Sequence, residues 1–61
     1  MHNSITVTFM KGLYTVIAAI NLNVIKRIEK IESAIKANEI ALQLVKKYKE
    51  EGIEVEILEL W

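Results

Sequence analysis

Residues Asn21-Leu22-Asn23-Val24-Ile25-Lys26-Arg27-Ile28-Glu29-Lys30-Ile31-Glu32-Ser33-Ala34-Ile35 decide the fold, because their apolar positions can be followed as a helical seam. Val24, Ile28, Ile31 and Ile35 stand at alternating intervals of four and three, and the series continues through Asn38, Leu42 and Val45. Asn21 or Asn23 can cap such a helix, and neither Gly nor Pro interrupts the chain again until Gly52, a natural C-terminal stop. The reading predicts a helix over about 22–51, with Ala34, Ala41 and Tyr48 broadening its apolar arc.

Toward the N-terminus, Ile5, Val7 and Phe9 alternate with Thr6, Thr8 and Met10, a period of two rich in β-formers that predicts a strand over about 4–10. Met10-Lys11-Gly12 reads as a reversal in which Gly12 supplies a positive φ within a three-residue hairpin loop. Leu13 to Ile20 is apolar on both faces, so periodicity leaves it open as a strand or as the start of the helix. Continuing the helix back to Leu13 would give about 39 residues and ~58 Å, poorly matched to so small a chain, and Thr15, Val16, Ile17 and Ile20 favour a strand. Toward the C-terminus, Ile53, Val55 and Ile57 alternate with glutamates and predict a strand over about 53–60. Leu58 and Leu60 then fall on the glutamate face, which predicts a bulge or a strand end leaving for a neighbour.

The expected architecture is α+β: one small domain spanning 1–61 in the order β-β-α-β, completed by oligomerisation. The expectation of a homodimer or higher oligomer rests on size. A domain of 61 residues buries only about 60% of its unfolded surface and usually needs disulfides, a metal or a partner subunit. The chain has no cysteine and one histidine, so disulfides are impossible and no zinc set can be assembled from Cys and His. Its 52% hydrophobic content suits a subunit that buries surface against another.

The same composition excludes much chemistry. Aspartate is absent, and there is no Cys/His pair, Gly-rich phosphate loop or Gly-x-Ser-x-Gly. No catalytic residue, cofactor or metal ligand is expected. Glu54 and Glu56 share a strand face without a third ligand, and read as charges guarding an edge. Leu13 to Ile20 is too short to span a bilayer, and the Asn-Leu-Asn after it does not suit a secretory cleavage site, so a cytoplasmic location is expected. Seven lysines to one arginine, with isoleucine the commonest residue, fit an AT-rich genome such as that of a low-GC bacterium or its phage.

The candidate oligomer or partner interface is Ile28, Ile31, Ile35, Asn38, Leu42 and Val45 along the seam, with Leu58, Leu60 and Trp61 at the C-terminus. An unpaired amide at Asn38 would cost ~1–3 kcal/mol, which points to a registry contact between subunits, to a ligand, or to a helix turned so that the amide meets water. Lys46, Lys47 and Lys49 are the candidate anion or nucleic-acid contact. Residues 11–49 carry all eight basic groups, whereas residues 50–61 carry five glutamates and no base, so the two parts are complementary in charge. The leading functional expectation is a non-enzymatic homo-oligomer acting as an adaptor or inhibitor of a larger protein, possibly encoded by a phage or mobile element. Behind it stand a small dimeric nucleic-acid-binding regulator using a basic helix face, and a small-molecule sponge with pockets between subunits around Asn38 and Tyr48.

Overall fold

A computed structural model describes residues 3–60, and the side chain of Leu60 lies outside that description. Five elements follow one another: β1 (Ser4–Met10), β2 (Leu13–Ile20), β3 (Asn23–Ile31), α1 (Ala34–Glu50) and β4 (Glu56–Leu60). They form one mixed sheet in the order β3-β2-β1-β4, with β1–β2 and β2–β3 antiparallel and β1–β4 parallel. The α+β class is as the sequence predicts, and the element order is corrected to β-β-β-α-β.

The correction falls on residues 22–33. The helix begins at Ala34, and Val24, Ile28 and Ile31 belong to a third strand instead of a helical seam. Two irregularities in the β2–β3 register explain the misleading spacing. Ile25 is the extra residue between the pairs Ala19↔Val24 and Ala18↔Lys26. Glu29 and Lys30 together oppose Thr15, between Val16↔Ile28 and Tyr14↔Ile31, and Lys30 there takes φ 61°. A bulge turns the strand period of two locally into three, so Ile28 and Ile31 can both face the helix while standing three residues apart. Residues 13–20 are a strand. Leu13–Ile20 lies between two neighbours in the sheet, the setting to which a run apolar on both faces is suited.

Both hairpins close through two residues at positive φ, Lys11 (54°) with Gly12 (81°) and Asn21 (52°) with Leu22 (68°), so the first loop is one residue shorter than predicted. Positive φ at both central positions is the turn whose twist matches the flanking strands. Ser33 caps α1, its Oγ accepting from the Lys36 N–H at 3.3 Å, a role the sequence reading gave to Asn21 or Asn23. At the other end the Ile53 N–H donates to the Tyr48 carbonyl (2.8 Å) and the Gly52 N–H to the Lys49 carbonyl (3.0 Å), with Gly52 at φ 82°. These are the paired bonds of a Schellman stop, placed at Gly52 as predicted.

The core lies between one face of the sheet and α1. Ile5, Val7, Val16, Ala18 and Ile31 meet Ala37, Ala41, Leu44 and Tyr48, with Ile28, Ile40, Val45, Ile53 and Val55 packed around them. The buried helical positions are spaced four, three and four, and Ala37 and Ala41 let the helix backbone approach the larger strand residues. Ile53 and Val55 pack against the core before β4 begins, so the C-terminal strand starts at Glu56, three residues later than predicted. The strand joins the chain's own sheet, with Ile57 beside Ile5 on the helix side and Leu58 beside Thr6 on the other.

Candidate functional site

Buried polar chemistry concentrates at Asn3. Its Nδ2 donates to the Glu54 carbonyl (3.1 Å), its Oδ1 accepts the Asn21 N–H (2.9 Å), and its own carbonyl accepts the Glu56 N–H (3.1 Å). One buried amide thus ties the β2–β3 turn to the approach into β4. It is a structural latch with its hydrogen bonds directed into backbone. Sequence reasoning missed it because an asparagine near a chain end carries no periodic signal.

The larger feature is the sheet face opposite the helix. The molecule measures 33 × 19 × 15 Å between Cα extremes, and its shortest dimension is that of one helix lying on one sheet. Because Ile5, Val7, Val16 and Ala18 point to the helix, β1 and β2 turn Ser4, Thr6, Thr8, Met10, Leu13, Thr15, Ile17 and Ala19 to the open side. None of these eight is charged. Val24 lies beside Ala19 and Leu58 beside Thr6, extending the surface onto both edge strands. Charge appears only at its flanks. On β3, Arg27 Nε contacts Glu29 at 3.1 Å, and on β4 stands Glu56 beside Ser4. Leu22, Ser4, Glu56 and Leu58 line an open groove of about 600 Å³ at one end of this face.

The predicted interface residues do not form one surface. Ile31 is in the chain's own core, and Ile28 and Val45 pack against that core. Ile35 and Leu42 are exposed on the outer side of α1, about 150° around the helix from the buried stripe. Asn38 is half-buried on the helix flank, one turn from both Ile35 and Leu42 and between that exposed pair and the buried stripe. Leu58 is exposed on the open sheet face. Leu60 ends β4, and the expectations placed on its side chain and on Trp61 lie outside the described residues. Lys46 and Lys49 share the outer helix face with Glu39, whereas Lys47 is displaced by about 100° onto another flank. The three lysines therefore do not converge on one point. The centre of the open face is legible in the run Leu13 to Ile20, apolar on both faces, whereas its β3 border is not, because residues 22–31 carry a helical spacing.

Among the described residues, no group of three or more His, Cys, Asp or Glu side chains is placed to hold a metal ion, and no helix is long and apolar enough to cross a membrane. No protein-family model, curated protein or solved structure matches the chain.

Proposed function

We propose that this chain is a small non-enzymatic protein that works by binding, as an adaptor or inhibitor of a larger protein, and that the open face of the sheet is its working surface. The make-up of that face carries the reading. A solvated sheet face normally alternates charged and polar residues outward, and the two central strands here present hydroxyl, aliphatic and methionine side chains with no charge among them. Depletion of charge at the centre with charged residues at the rim is the composition of an interaction surface. The outer face of α1 is less suited, since Glu39, Lys46 and Lys49 interrupt its apolar pair Ile35 and Leu42.

The test compares Ile17→Lys, which puts a charge in the centre of the open face, with Leu42→Lys, which puts one on the outer helix. Proteins recovered with the tagged chain from its native cells are identified for both variants and the parent. Recovery of a larger protein that is lost with Ile17→Lys and kept with Leu42→Lys is the expected outcome. An identical set of proteins from both variants would remove the open face from the reading.

A further inference from the structure

We propose that a second copy of this chain covers the open face, the two sheets packing face to face about a two-fold axis that runs parallel to their strands. The proposal rests on the reading of that face as a binding surface and names its occupant in the free protein, a second copy that a larger protein binding the same face displaces.

Extent is the first argument. Four strands ~4.8 Å apart and about 20 Å long give a footprint near ~400 Å² per copy, and side-chain relief brings a two-copy contact to about 1,000 Å², where specific interfaces begin. A self-complementary surface needs no second protein to reach that threshold.

Charge decides the axis. Arg27, which already holds Glu29 of its own strand at 3.1 Å, lies on β3, one edge of the sheet, and Glu56 on β4, the opposite edge, so a contact across the interface adds a second carboxylate to a guanidinium that has one. A two-fold axis parallel to the strands stacks β3 of one copy over β4 of the other, bringing Arg27 to Glu56 twice by symmetry. The residues are close in level as well. Arg27 pairs with Ile17, Ile17 with Thr6 and Thr6 with Leu58, so Arg27 is one two-residue step, ~7 Å, from the level of Glu56, within reach of an arginine side chain. An in-plane axis across the strands would instead stack each edge on its own kind, Glu56 over Glu56 and Arg27 over Arg27.

Leu22 supplies an independent argument. It is 77% exposed and held at φ 68°, so it adds nothing to the protomer's core while occupying a conformation costly for a side chain with a Cβ. It lines a groove with Asn3, Ser4, Glu54, Val55, Glu56 and Leu58, an exposed apolar side chain beside glutamates at the end of the open face where a second sheet would lie.

The experiment is light scattering coupled to size exclusion, with sedimentation equilibrium, from about 1 µM to about 1 mM chain. A dimer is expected. Ile17→Lys and, as a second variant on the same strand, Thr15→Lys should each raise its dissociation constant roughly a hundredfold with unchanged circular dichroism. Arg27→Glu and Glu56→Arg should each weaken it roughly tenfold, and the double exchange should restore it. A monomer throughout would overturn the second-copy proposal. If Ile17→Lys then still abolished recovery of a larger protein, the binding reading would survive with the face given to that protein; if it did not, both would fall. A dimer indifferent to both lysine variants but lost with Leu42→Lys would also overturn the proposal and assign association to the outer helix. Failure of the charge exchange to restore the dimer would overturn the axis.

Discussion

Leu22 sets conformation against side chain: the second central position of a turn with positive φ is best filled by glycine, and leucine there costs about 1–2 kcal/mol in backbone strain. Leu22→Gly should therefore stabilise the isolated protomer by about 1 kcal/mol, a rise of several degrees in melting temperature when measured at low concentration. The same change should weaken association. A variant that lost stability would show that Leu22 packs into the protomer after all. Asn3 stands at the other extreme, a buried amide with both ends of its side chain committed. Removing it leaves the Glu54 carbonyl and the Asn21 N–H without that partner, so Asn3→Ala should cost about 2 kcal/mol in urea unfolding. A cost near zero would mean that water replaces the amide at no loss.

Among the elements, α1 and the first hairpin follow from local rules that survive in any context. Gly52 stops the helix at positive φ, and a Cβ built there meets nothing within 4 Å. Gly52→Ala should therefore cost about 1 kcal/mol through backbone strain alone, read as a loss of thermal stability with no change in near-ultraviolet dichroism. A change in aromatic dichroism would implicate the packing of Tyr48 instead. The strand β3 was not legible, for a physical reason. Its bulges at Ile25 and at Glu29-Lys30 break the alternation that marks a strand, and the Ile28 to Ile31 spacing they leave coincides with that of a helix. The predicted cap falls in the same stretch, since Asn21 lies in the β2–β3 turn and Asn23 follows it, a composition that also suits a helix start. Helix over residues 34–50 follows from the sequence, but the four-three series continued from Val24 runs through Ile35 and Leu42, whereas the buried stripe is Ala37, Ala41, Leu44 and Tyr48. Close packing of helix on sheet favours the small residues.

At the scale of the whole molecule, the two-faced apolar run Leu13 to Ile20 announces a second face in need of cover, and what stays hidden with β3 is how far that face extends. Once β3 joins the sheet, the threonine-rich character of Ile5 to Phe9 acquires a meaning that alternation alone did not give it: the inner residues are the core and Thr6 and Thr8 are the surface. The topology has a further consequence at the two borders of the sheet. Because β3 and β4 both run parallel to β1, they run in the same direction, one bearing Lys26, Arg27 and Lys30 against the single acid Glu29 and the other Glu56 and Glu59. Either border meeting its own kind is opposed by like charge, whereas the basic border of one molecule and the acidic border of the next attract. Repeated end to end, that contact does not close by two-fold symmetry and would polymerise into a ribbon. The kink at Ile25 is then a safeguard, bending the basic border out of the straight line that a growing ribbon needs. Deleting Ile25 should release it, giving thioflavin-positive fibrils whose growth slows with salt, while a deletion variant that stayed dispersed would place the safeguard elsewhere.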